Sequence, residues 1–339
     1  MKRIVSLTLA LMLALCALAV PTMAEEVVIK EGVLTSLNWT DEELESASNI
    51  VVPMLILDAP QEGGEGEAEA QPAIKYDEVY YDTLDAMLMA LNVGDIDEIN
   101  INYATARYLE ATNDNYAIMY RPDELANDTA IEQFIISLLT YNYAFLLMED
   151  HADLRDELNG AIAEMKADGT LDELVQTQIE AAINGEEIAP VEIPSIEGAE
   201  TIRVAVTGSM PPLDYVAADG TPAGFSTAVM AEISRRLGKN VKFEVVDSVG
   251  RATALASGTV DAVFWTITND IAQKAADMSR EERQELSRSF NPTDEEKQYM
   301  KQFDAAFDVS TLSSQDKPEG TIVTDPYFSD YTTVVIKNS

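Results

Sequence analysis

A ten-residue pattern that occurs twice constrains this chain more than any other feature. Residues 90–99 read ALNVGDIDEI and residues 254–263 read ALASGTVDAV, so both follow A-L-x-x-G-x-[IV]-D-x-[IV]. Glycine directly after an alanine–leucine run is how a helix stops, because glycine takes the left-handed backbone without a Cβ clash. The β-branched and apolar residues that follow open a strand at once. Each copy also has a strand-forming run upstream, residues 78–81 before the first and 241–246 before the second. Asp82 stands where the cap of the first helix belongs, with Asp85 three residues on. Asp247 and Ser248 follow the second run. Strand, helix and strand in succession make a parallel pair through a right-handed crossover. Two such units predict an α/β chain with two similar lobes.

The second unit extends upstream. Residues 201–206 (TIRVAV) predict a strand, 210–215 a constrained loop and 218–221 (ADGT) a hairpin turn. Residues 224–237 predict a helix with Phe225, Val229, Ile233 and Leu237 on one face, closed by Gly238. Residues 186–200, with Pro190 and Pro194, read as an extended linker and the best boundary in the chain. Residues 60–72 (PQEGGEGEAEAQP) read as an acidic surface loop. Residues 280–317 read as a helical insertion, with Phe290, Tyr299, Phe303 and Phe307 at helical spacing.

The N-terminus sets the compartment. Lys2 and Arg3 precede an apolar run from Ile4 to Val20, and small residues stand before Glu25. That is a secretory signal peptide, residues 1–24, with cleavage expected after Ala24. Acylation at Cys16 is the weaker reading, because Leu15 precedes it where a lipoprotein signal has a small residue. No later stretch is long and apolar enough to span a membrane, so none is expected after cleavage. Cys16 is the sole cysteine, and its removal excludes disulfides, thiol catalysis and cysteine metal sites. The single histidine, His151, lies at a polar helix start, and neither a zinc site nor an EF-hand pattern is present. Without Lys2 and Arg3 the chain has 20 basic and 60 acidic residues, a net charge of −40. Such a surface repels nucleic acid and anionic lipid.

The run IRVAVTGSMPPLDYVAADGTPAGFSTAVMAEISRRLGKNVKFEVVD followed by ALASGTVDAVFW resembles the first lobe of a known family. These are the extracytoplasmic solute-binding proteins of amino-acid-type ABC importers, bacterial solute-binding protein family 3. Thr324–Phe328 (TDPYF) looks like the family's S-D-P-Y segment, which leads into a strand passing between lobes. Residues 32–38, 80–101 and 143–145 look like parts of its second lobe, and 153–183 like its closing helices. The resemblance implies a two-lobed periplasmic-binding-protein-like (type II) fold with permuted lobe order. Residues 25–118 would form the second-lobe-like domain. Residues 119–185 would supply the hinge return and the closing helices, which would pack on the other lobe. Residues 186–200 would be the linker, and 201–339 the first-lobe-like domain. A domain-swapped or degenerate tandem arrangement is the alternative. In the permuted order, only residues 118–143 would join the lobes covalently.

The resemblance places the ligand in the cleft between lobes. From the first lobe it implies Ser209, Leu213, Asp214, Tyr215, Trp265, Thr266 and Thr268; from the second, Thr35, Ser36, Asn38, Asp82, Asn102 and Tyr103. Tyr215 and Trp265 suit stacking, and the hydroxyls and Asn38 suit hydrogen bonding. Strand alternation would put Phe264 and Trp265 on opposite faces. Two departures from the family matter. No arginine follows Thr268, where Lys274 is a loose stand-in, and Asn102 replaces the family's aspartate. The usual clamps for an amino acid's carboxylate and ammonium are thus both absent. The cleft candidates contain no His, no Cys and no paired carboxylates, so no enzyme and no cofactor are expected. The expected function is binding of a small polar solute for an ABC permease. The alternative is a ligand-free structural, interaction or sensory module.

Overall fold

The computed structural model describes residues 27–34, 74–124, 136, 140–186, 188, 190–217, 220–247, 250–268 and 317–338. The expected signal peptide, the acidic loop 60–72 and almost all of the insertion 280–317 lie outside them. The α/β class expected from the repeat is the class observed. In the first half, β1 (Val27–Leu34) pairs in parallel with β2 (Ile74–Tyr81) and β3 (Glu98–Asn102). Helix α1 (Leu84–Val93) joins β2 to β3, and α2 (Tyr103–Thr112) leads to β4 (Tyr116–Ile118). The cap of α1 is Thr83 rather than Asp82. Its backbone is extended, and its Oγ1 accepts the Ala86 N–H at 3.2 Å. Asp82 stands one residue too early.

The second half repeats the plan. Strand β6 (Thr201–Val206) pairs in parallel with β10 (Asn240–Val245) and β11 (Ala262–Thr268). Before it come α3 (Ala152–Ala167), α4 (Thr170–Leu174), a π-helical turn (Val175–Glu180) and α5 (Ala181–Ile183). After β6 come the small antiparallel sheet of β7 (Ser209–Met210), β8 (Asp214–Val216) and β9 (Pro222–Ala223), then α6 (Phe225–Leu237). Helix α7 (Gly250–Ala256) joins β10 to β11.

The repeated aspartate has one job in both halves. Asp97 accepts the Lys30 N–H at 2.8 Å and its own N–H donates to the Lys30 carbonyl at 2.9 Å. Asp261 does the same with Arg203, at 2.8 and 2.8 Å. Each copy therefore locks the start of its third strand onto the first strand of its lobe. Gly94 and Gly258 stop the preceding helices at φ 82° and 68°, and Ile96 and Val260 enter the core at the same place.

The chain passes between the halves twice. It enters the second half at strand β5 (Thr140–Met148), which lies antiparallel to β11 and β12 (Thr321–Val323). Strand β13 (Phe328–Lys337) returns. Its residues 328–331 pair with 140–143 of β5, and 332–336 then pair with β3. The lateral orders are β10-β6-β11-β5-β12 and β2-β1-β3-β13-β4, the same arrangement twice. Because β13 runs unbroken from one half to the other, two covalent segments join the lobes. The expectation of a single connection was wrong: the permuted order would cut the chain inside a lobe, past the end of β13.

In the first half Met87, Leu91, Ile96, Ile99, Leu109 and Val335 form the core. Gly32 of β1 sits so close that a Cβ would meet Ile96 Cδ1 at 2.6 Å. In the second half Leu158, Ile162, Met165 and Ile179, from the helices of residues 152–183, pack with Phe225, Val229 and Ile233 of α6 over Phe145 and Phe264. Leu237, expected on the same stripe, is only partly buried. Each fully buried side chain of this size contributes roughly 1.5–3 kcal/mol. On the other face of that sheet, α7 covers Leu146, Ala205 and Val263. Between Val263 and Thr266 a bulge sets Phe264 and Trp265 against the single residue Phe145. Strict alternation therefore does not hold there, and such bulges re-aim side chains.

Candidate functional site

Both lobes turn their first-turn helix residues and strand ends toward the crossing strands. Asn102 ends β3 and stands at the N-cap position of α2, opposite Thr332 of β13. Its carboxamide makes no capping bond, because the Ala104 N–H donates instead to Asp330 Oδ2 at 2.8 Å. Asp330, on β13, also accepts the Tyr331 N–H at 2.8 Å. Burial pushes its carboxyl up to about 7, against the pull of those two N–H donors and of Arg107. Asn102 is 8% exposed, and neither its Oδ1 nor its Nδ2 has a partner. Thr105, in the first turn of the same helix, is fully buried with its Oγ1 also unpartnered.

Across the boundary, β7 and β8 reach toward the first half. Met210 packs against the first-half core, and Tyr215 lies near enough to Tyr108 of α2 for it to raise the Tyr215 hydroxyl's pKa, second to burial. Ser209, Thr266 on β11 and Ser226 in the first turn of α6 each have an unpartnered buried hydroxyl. Thr266 pairs with Ala144, and the next residues of β5 pair with β13, so Thr266 too lies at the hinge-facing end of its sheet.

The charged groups described at this boundary are engaged within the chain. Asp214 is buried; its Oδ2 accepts the Thr207 N–H at 2.9 Å and the Thr207 hydroxyl at 3.1 Å. Burial raises its carboxyl, and nearby Arg251 opposes that rise. Arg251, buried in α7, donates to the Phe264 carbonyl at 3.2 Å, and desolvation lowers its guanidinium to about 10. Arg107 makes a two-pronged ion pair with Glu180, at 2.8 and 2.6 Å, tying α2 to the π-helical turn. Tyr103 donates its hydroxyl to Asp123 at 2.6 Å, and burial, then that bond, push it up to about 12.

Of the residues implied by the resemblance, the structure brings Asn102, Tyr103, Ser209, Tyr215 and Thr266 to the boundary between lobes. Asp214 is spent on the turn after β6, and Asp82 sits on an exposed turn. Trp265 and Thr268 are described as backbone of β11 only, and Thr35, Ser36, Asn38 and Lys274 lie outside the described residues. Thr105, Ser226, Asp330 and Arg107 were not foreseen. Two open hollows of about 310 and 370 Å³ flank His151 at another face, and none of the candidate residues lines either. Orphaned buried polar atoms are a sharper sign of missing partners than a hollow.

Residues 202–284 match the family model described as bacterial extracellular solute-binding proteins, family 3. That stretch runs from β6 through β11 and carries the second copy of the repeat. It bears out the resemblance read from the sequence there. No curated protein matches the chain. Solved structures that overlay on it include a zinc-bound ligand-binding component of an ABC-type import system from Staphylococcus aureus. It is 12% identical, with 89% of this chain and 86% of that one covered at a TM-score of 0.32. A putative L-cystine ABC transporter from Listeria monocytogenes is 11% identical, with 92% and 84% covered at 0.32. The periplasmic aliphatic sulphonate binding protein from Escherichia coli is 11% identical, with 92% and 62% covered at 0.29. The strand order, rather than these overlays, defines the fold.

Proposed function

We propose that this chain is an extracytoplasmic, non-enzymatic solute-binding protein. It closes two lobes on a small polar solute and presents it to the permease of an ABC importer. The observation that carries this reading is the pair of strands at the boundary: β5, where the chain enters the second half, lies antiparallel to β13, which runs on into the first, between two strand sets of identical order. Two adjacent connecting strands confine relative motion largely to opening and closing, which is the hinge geometry of a clamshell binder. The family match over residues 202–284 supports the same reading. Among the described residues no helix is long and apolar enough to cross a membrane, in keeping with a chain released outside the membrane.

In this reading the lobes stand in permuted order, with residues 186–200 joining the family's closing helices to its first strand. Support comes from α3 and α6 sharing one core and from the linker's docking on β10. There Asn240 accepts the Ile196 N–H at 2.7 Å and donates back to its carbonyl at 2.9 Å. We take the site to comprise Asn102, Tyr103, Ser209, Tyr215 and Thr266, to which the family resemblance would add Trp265, Thr268, Thr35, Ser36 and Asn38; Asp214, engaged on the turn after β6, and Asp82, on an exposed turn, are left out of it. A thermal-shift screen of the purified mature chain against a broad metabolite library tests the reading. A binder raises Tm with the logarithm of its excess over Kd. A library without a single stabilising solute would favour the ligand-free module instead.

A further inference from the structure

We infer that the solute held between the lobes is uncharged, recognised through hydrogen bonds to Asn102, Thr105, Ser209 and Thr266. This rests on the solute-binding reading and narrows its ligand class. Buried polar groups in folded proteins are almost always paired, so each exception calls for a partner. Here the exceptions lie at or near the carboxyl ends of strands and in the helix turn that follows, the end of an open α/β sheet where ligands bind. Asn102 closes β3, Thr105 is in the first turn of α2, and Thr266 is at the hinge end of β11.

The charge class follows from what is already neutralised. The N-terminus of a helix attracts an anion, but at α2 that place is taken by Asp330, 2.8 Å from the Ala104 N–H. An anionic solute would have to displace it. Arg107 is bound by Glu180, and Arg251 faces Asp214 and the Phe264 carbonyl. A cationic solute finds Asp330 and Asp214 equally engaged with backbone N–H groups. Among the described residues, what is left over is one carboxamide, with a donor and an acceptor, and hydroxyls that can serve as either. That set complements a polyol, a sugar or an amide.

Two measurements test this. The first needs no ligand. Asn102→Leu and Thr266→Val keep the side-chain volume and delete the orphaned atoms, so the Tm of the unliganded protein should rise, by about 2–4 °C for a chain of this size. A fall in Tm for both would show the atoms to be structural and overturn the inference. The second is calorimetry on matched sets that differ in charge, within the wider library. One set is glucose, glucosamine and glucuronate; the other is N-acetylglycinamide, glycinamide, N-acetylglycine and glycine. Neutral binders should exceed their charged counterparts at least 100-fold, and Asn102→Leu should cost them at least tenfold. A charged or zwitterionic member that binds as well overturns the charge class and leaves the solute-binding reading standing. Absence of binding by every compound of every charge would remove that reading, and this inference with it.

Discussion

Asp214 and Arg251 show how far a single residue's role departs from its place in a motif. The pattern placed Asp214 at the ligand; in the fold it holds the turn after β6 and lies beside a guanidinium that is itself buried. Removing one partner of a buried charge pair strands the other. Asp214→Ala should therefore destabilise the protein by about 3–5 kcal/mol in urea titration, and Asp214→Asn by less. Gly224 is the second such position. Its φ is 96°, and an added Cβ would meet the Pro212 carbonyl oxygen at 2.7 Å. Gly224→Ala should cost on the order of 2 kcal/mol or more by the same titration. Neither consequence was legible locally. Asp330, which caps α2 from 226 positions along the chain, marks the limit of sequence reading: its partner is set by the crossing of β13, not by any neighbour.

At the scale of the element, the first sheet carries an unusual row. Glu78, Glu31 and Glu98 stand in register on β2, β1 and β3. Like charges directly opposite one another on a sheet repel. Burial first, then Glu98 and Glu78, push Glu31 up to about 8; burial, then Asp97, push Glu98 up to about 7; Glu78 is raised as well. The Tyr80 hydroxyl donates to Glu78 at 2.5 Å, and Asn100 to Glu31 at 3.4 Å. Folded-state values above the unfolded ones mean that the fold holds extra protons near neutrality. This contribution to stability is complete below about pH 4.5 and is lost as pH rises through 7 to 8. Tm should accordingly fall between pH 5 and pH 9. Glu31→Gln should flatten that fall and stabilise the protein at pH 8 by at least about 1.4 kcal/mol, the equivalent of one pKa unit; an unchanged slope would count against the row. The repeat that carries Glu98 was legible, because glycine stops and β-branched starts are local signals. The shift of the α1 cap from Asp82 to Thr83 and the bulge at Phe264–Trp265 were not. They depend on where the helix meets the sheet and on the register with β5.

For the whole molecule, the two-lobe plan could be read from one repeated decapeptide, whereas the hinge could not. Only strand pairing reveals that β13 stays continuous, so closure has two covalent guides rather than one. The proposed permuted order has its own consequence. A chain reopened within residues 186–200, with its present ends joined by a flexible linker, should fold to the same Tm within a few degrees and keep its ligand; loss of folding would contradict the permutation. Closure on a solute is the central claim, and interlobe distance reports it directly. Cys16 is the only cysteine, and it lies in the expected signal peptide, so Met89→Cys on α1 and Asp172→Cys on α4 give two unique, exposed labelling sites. Pulsed electron–electron resonance between spin labels there should show a distance distribution that shortens and narrows when the best neutral solute from the library is added to saturation. A distribution unmoved by a saturating, stabilising solute would contradict the account.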